Sequence, residues 1–170
     1  AVGPFTADLG LLRELPQLMR KAEFRGTAVM AGGQLLDFEP GNTSWDAYGV
    51  AVDLGTTTLV ASLLDLTTGR ETRVTSQLNP QRRFGDDVLS RILHARDRAD
   101  GIEELRRSIT AAIDEMIGQL CAEAQIPRQR VYVVTASGNT TMQQMLCGID
   151  PSGLGHVPFV PAMGRGLDLP

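Results

Sequence analysis

The sequence predicts an α/β protein in which a unit of order β-β-β-α-α-β-α follows a small α+β appendage. Three observations predict it. Tyr48 to Leu64, YGVAVDLGTTTLVASLL, reads as two apolar strands joined by a tight turn of Gly55, Thr56 and Thr57 leading into Thr58. Ile102 to Ala124 repeats apolar residues at helical spacing over a length no ordinary strand reaches. Val131-Tyr132-Val133-Val134, beyond the helix-ending Pro127, is a short β-branched and aromatic run that returns the chain to a sheet.

Taken in order, Asp8 suits the cap of a helix carrying Leu11, Leu12, Leu15 and Leu18, which Pro16 either kinks or restarts. Phe24–Ala31 and Gln34–Glu39 read as a hairpin about Gly32-Gly33. Trp45 and the Phe24/Phe38 pair are expected to form a small core there. The polar run Pro40 to Ser44 places a boundary, giving a unit of residues 1–45 and a larger one of residues 46–170. The first strand of the larger unit, Tyr48–Asp53, is apolar almost throughout, as expected of a strand covered on both faces. Thr58–Leu64 is the second strand and Glu71–Gln77 the third, more alternating and expected near an edge. Asp86 then signals the cap of a helix over Asp87–Ala95, with Val88, Leu89, Ile92 and Leu93 on its apolar face. The long helix from Ile102 turns Leu105, Ile109, Ile113, Met116, Ile117 and Leu120 to the core. Val131–Val134 is expected to be short and buried, with the turn Ala136-Ser137-Gly138-Asn139 leading to a last helix, Thr140–Leu146.

Composition narrows the function classes. With 16 basic against 20 acidic residues the net charge is −4, which argues against a nucleic-acid footprint. No apolar run is long enough to span a bilayer, so no membrane partner is expected and a cytoplasmic location is. Cys121 and Cys147 lie in apolar helical contexts and read as packed thiols, and no CxxC cluster marks an iron–sulfur centre. Both ends, Ala1-Val2-Gly3-Pro4 and Pro170, read as cut edges of something longer.

The chemistry concentrates at the first turn. Gly55 has no Cβ, so the backbone can approach a ligand closely. Thr56, Thr57 and Thr58 offer hydroxyls and N–H groups to phosphate oxygens. Asp53, at the lip, would repel phosphate directly and so suits Mg²⁺ held through water. With no lysine and a strand after it, this is not a Walker loop. A Gly-Thr turn capped by an acid also joins strands in proteins that bind nothing, so both readings stand at this point. Two further segments have two readings each. Gln81 suits positioning a water or a nucleotide group and Asp87 a second Mg²⁺ carboxylate, against a plain Asn-Pro turn and helix cap. Gly138, Asn139 and Thr140 suit an anion facing backbone N–H groups, against ordinary capping. His94 and His156 have no partner at metal spacing.

A three-stranded meander followed by a helical crossover to another strand resembles the ribonuclease-H-like half of an actin-type ATPase, which element order by itself only suggests. Within that topology YGVAVDLGTTT, NPQRRFGDDVLSRI and SGNTTMQQMLCGIDPSGLGHVPFVP, in that order, closely resemble the reductive activators of corrinoid proteins. DLGLLRELPQLMRKAEF resembles the linker that precedes the ATPase core in that family, and the similarity runs from about residue 4 to 162. The resemblance implies an ATP- and Mg²⁺-dependent protein that returns Co(II) corrinoid to Co(I) on a partner of a methyltransferase system. It implies an electron from a [2Fe–2S] ferredoxin domain that this chain does not hold, and it allows a homodimer. By position, Asp53 and Gly55 to Thr58 would be the first phosphate loop, and Gln81, Asp87 and Gly138-Asn139-Thr140 would line the nucleotide cleft. No second phosphate loop of the Asp-Gly-Gly type follows residue 139, so the chain is expected to be the linker plus first lobe, binding ATP weakly and transferring no electrons alone. No residue stands out as catalytic. Two alternatives remain: a lobe of a small-molecule kinase with the same fold, and an interaction module that kept the fold without the chemistry.

Overall fold

The computed structural model describes residues 4–169, so the cut edges expected at Ala1 to Gly3 and at Pro170 lie outside the described residues. Strand β1 (Thr6–Ala7), helix α1 (Leu9–Lys21), β2 (Gly26–Ala31) and β3 (Gln34–Pro40) form a three-stranded sheet, order β1-β3-β2, with the helix against β3. Asp8 caps α1 by accepting from the Leu11 N–H at 2.9 Å. Pro16 neither breaks nor restarts the helix, which runs through it. Gly32 and Gly33, at φ 55° and 80°, make the two-residue turn in the left-handed conformations it needs. The small core expected of Trp45, Phe24 and Phe38 does not form. Trp45 and Phe24 are 64% and 69% exposed, because Phe24 sits in a left-handed turn after α1 and points away, while the Phe38 ring lies over Gly26.

The larger sheet contains β4 (Tyr48–Leu54), β5 (Thr58–Asp65), β6 (Arg70–Leu78) and β7 (Val131–Gly138) in the order β6-β5-β4-β7. The first three are antiparallel neighbours and β7 runs parallel to β4. Helices α2 (Val88–Asp97), α3 (Gly101–Ala124) and α4 (Thr140–Cys147) complete this ribonuclease-H-like lobe of the actin-type fold. Alternation decides what faces what. Val50, Val52 and Leu54 pair across to Leu63, Ala61 and Leu59, and all six lie buried with Leu105, Ile109, Met116 and Leu120 of α3 and Met142 and Met145 of α4. Each fully buried leucine or isoleucine contributes about 1.5–3 kcal/mol.

Three expectations change. β4 is covered along its whole length on one face only among the described residues: on the other, Gly49 is buried, Ala51 half-buried and Asp53 exposed. Alanine and glycine made the strand look apolar throughout without supplying apolar bulk. β7 is eight residues long, so Ala136–Gly138 are strand rather than turn, and Val133 and Val134 are 42% and 46% exposed at the sheet edge instead of buried. On α2, Leu89 and Leu93 face outward; the inward positions are Val88, Arg91, Ile92 and Ala95.

One polar cluster ties the small sheet to the lobe. The Tyr132 hydroxyl and the Thr43 hydroxyl both donate to the Glu39 carboxylate, and Arg130 lies against it while also reaching Asp46 at 3.2 Å. Burial pushes the Glu39 carboxyl up, but Thr43, Tyr132 and Arg130 outweigh it and hold the group below its ordinary 4.5. Burial, then the neighbouring carboxylate, push the Tyr132 phenol from 10.0 up to about 12. A depressed carboxyl stabilises fully above pH 4.5 and loses its contribution as the pH falls through the lower folded value. The raised phenol stabilises fully below pH 10.0 and loses its contribution as the pH climbs toward about 12. Glu39→Gln is therefore expected to cost roughly 1.5–3 kcal/mol at neutral pH, the worth of hydrogen bonds to a charged group. Urea unfolding reads this, with a difference that shrinks in acid; a difference that stays constant into acid would contradict the assignment.

Candidate functional site

At the end of β4 the chain turns through Gly55, Thr56 and Thr57 before entering β5. A Cβ built on Gly55 would drive into the Thr58 carbonyl, so the corner is one that only glycine fits. Its carbonyls are tied from one side. The Gly55 carbonyl accepts from Asn79 Nδ2 at 2.8 Å, the Thr56 carbonyl from Arg91 Nη2 at 2.7 Å, and the Thr57 carbonyl from the Asn79 N–H at 2.8 Å. In a planar trans peptide the C=O and N–H point in opposite directions. Fixing the Gly55 and Thr56 carbonyls therefore turns the Thr56 and Thr57 N–H groups to the other side. Neither N–H donates to a protein acceptor among the described residues. Thr57 and Thr58 are exposed. Successive N–H groups turned outward together make an anion-binding concavity.

A groove of about 240 Å³ runs along β4, β5 and β7, lined by Ala51 to Asp53, Val60, Ser62 and Thr135 to Ser137; Asp53 is its lining residue nearest in sequence to the corner, and none of Gly55 to Thr58 lines it. Asp53 is exposed at its rim, directly across from Ser137 of β7, and its carboxylate accepts no hydrogen bond among the described residues. The far side of the corner is the end of β7. Gly138 pairs with Leu54, and a Cβ there would come within 2.8 Å of the Leu54 carbonyl oxygen. Asn139 caps α4 by accepting from the Met142 N–H at 3.0 Å and reaches back to the Thr56 hydroxyl at 3.3 Å. Thr140, the first residue of α4, is exposed beside it. Parallel pairing of β4 and β7 thus brings Asp53, Gly55 to Thr58 and Gly138 to Thr140 to one end of the sheet.

Two expected site residues lie elsewhere. Gln81 is fully buried; its amide donates to the Leu105 carbonyl at 3.0 Å and its oxygen faces Arg91, so it lies beneath the corner, closed off from its surface. Asp87, rather than Asp86, caps α2: its carboxylate accepts from the Ser90 N–H and hydroxyl, both at 2.7 Å. The Ser90 bonds, chiefly the one from its N–H, hold that carboxyl below its ordinary value, and none of its contacts reaches Asp53. Arg91 and Asn79 were the residues overlooked. The signal was present for Arg91: a cation at the inward spacing of Val88, Ile92 and Ala95 must find polar partners inside.

A family model described as the RACo middle region matches residues 48–170. The chain is 35% identical, over 91% of its length, to the corrinoid activation enzyme RamQ of Eubacterium limosum, of which it spans 29%. It superposes on a solved reductive activator for a corrinoid, iron–sulfur protein with a TM-score of 0.80 and 34% identity, covering 93% of this chain and 26% of that one.

Proposed function

This chain belongs to the RACo family, the reductive activators of corrinoid proteins, and from that premise we propose that it is the linker (residues 1–45) and first ATP-binding lobe (residues 46–170) of such an activator. The observation that carries the reading is the corner Gly55–Thr57, whose carbonyls are held from one side while the N–H groups of Thr56 and Thr57 stay unspent, three and four residues beyond the exposed Asp53. Its fit to a triphosphate rests on backbone donors with no other partner among the described residues, held at a corner too tight for any residue but glycine. Thr56, Thr57 and Thr58 would hold phosphate oxygens, with Gly138, Asn139 and Thr140 closing the other side. Asp53 would hold magnesium through water. Magnesium in this reading is carried mainly by the phosphates, with Asp53 its one carboxylate from this chain.

When bound and hydrolysed, ATP supplies free energy. In this reading that energy drives one electron from a [2Fe–2S] ferredoxin domain of the activator to Co(II) of a corrinoid protein in a methyltransferase system, giving Co(I). The share of this chain is to grip the nucleotide differently in two lobe arrangements, for only a difference in affinity can shift their balance. Among the described residues no helix is long and apolar enough to cross a membrane, and we place the protein in the cytoplasm.

Asp53→Asn tests the reading by calorimetry with and without magnesium. Loss of the water-mediated metal contact is expected to weaken Mg·ATP about tenfold while leaving metal-free ATP unchanged or tighter, because a repelling charge is gone. An unaltered magnesium dependence would contradict it.

A further inference from the structure

Arg91 is fully buried, the largest such side chain among the described residues, and none of their ion pairs includes it. Its Nη2 donates to the Thr56 carbonyl at 2.7 Å and its Nε to the Gly85 carbonyl at 2.9 Å. Nη1 faces Gln81 Oε1 and Met142 Sδ, each at 3.5 Å. The nearby acids are committed elsewhere: Asp86 is exposed and paired with Arg82, and Asp87 caps α2. A guanidinium cannot shed its charge, so the interior here holds a positive charge whose direct partners are carbonyl dipoles, an amide and a sulfur, with Asp86 and Asp87 acting on it only through space. A methionine or leucine would fill the same space without that cost. The charge sits one peptide plane behind the Thr57 N–H.

We propose that Arg91 is the positioning residue of the phosphate corner: by holding the Thr56 carbonyl it turns the Thr57 N–H toward the ligand, and it supplies the buried positive charge that a bound phosphate completes. This rests on the nucleotide reading above. Gln81 serves the same purpose at one remove, since its amide on the Leu105 carbonyl leaves its oxygen aimed at Arg91. The planar fork is essential, because three separate directions must be served from one head group, and lysine offers the charge without the fork.

The test compares wild type, Arg91→Met and Arg91→Lys by Mg·ATP calorimetry, urea unfolding and the backbone amide spectrum without ligand. Arg91→Met is expected to lose about tenfold or more in affinity, and Arg91→Lys roughly half of that loss on a logarithmic scale, since it keeps charge and gives up orientation. In both variants the Thr57 amide resonance is expected to move in the ligand-free protein, which a role confined to core packing would not require. Should Arg91→Met fail to fold, Arg91→Lys decides: folded protein with wild-type affinity and an unmoved Thr57 amide overturns the proposal. If wild type itself binds no Mg·ATP, the nucleotide reading fails and takes this inference with it. If wild type binds and the folded variants bind equally well, the inference alone is wrong.

Discussion

Gly55→Ala is expected to abolish measurable Mg·ATP binding while the rest of the lobe stays folded. The added Cβ meets the Thr58 carbonyl, which belongs to the backbone and cannot swing aside as a side chain would. The corner must therefore open, and the Asn79 and Arg91 bonds to the Gly55 and Thr56 carbonyls stretch with it. Overpacking of this kind costs roughly 1–3 kcal/mol, within what a domain of marginal stability tolerates. The loss of binding is disproportionate because the ligand reads the direction of the N–H groups, and direction is what the clash destroys. Urea unfolding and calorimetry on the same preparation separate the two effects. A folded Gly55→Ala protein that binds Mg·ATP like wild type would show that phosphates do not seat at this corner.

The second large effect is on stability alone. Leu120 is fully buried, near the end of α3 opposite from Leu105, whose carbonyl supports Gln81. Leu120→Ala leaves a cavity that its neighbours fill only in part, at a cost of about 2–5 kcal/mol. It is expected to lower the urea midpoint strongly and leave the nucleotide affinity of the folded fraction unchanged, because no hydrogen bond of the corner runs through it. A stability loss below about 1 kcal/mol would mean that α3 does not seal this core as described.

These two residues also mark what was legible beforehand. Leu120 belongs to a stripe of helical period, and such a stripe fixes element and facing together, so the α3 core was readable from spacing. The β4–β5 corner was readable for the same reason: apolar runs bounded by Gly55 and the threonines leave little choice of topology. What spacing could not show was the spending of polar groups. In the string NPQRRFGDD the ligand and plain-turn readings of Gln81 both stood, and only the fold reveals that its amide is spent on the Leu105 carbonyl and its oxygen on Arg91. Asp87 likewise was one of two adjacent acids, and the choice between cap and metal ligand depended on where Ser90 would lie. The length of β7 was hidden because Ala136, Ser137 and Gly138 have turn composition, and parallel pairing with β4 overrode that local preference. Phe24 and Trp45 misled because an aromatic signals burial only where a surface exists to bury it, and the small sheet offers one helix.

What the proposed function requires is local: the backbone after Asp53 presents its N–H groups to phosphate. Amide chemical-shift mapping during an Mg·ATP titration tests it most directly, since it reports weak binding residue by residue. The account predicts the largest movements at Thr56, Thr57, Gly138 and Asn139, with smaller ones at Asp53. Saturable movements confined to other parts of the chain, or none at all, would contradict it.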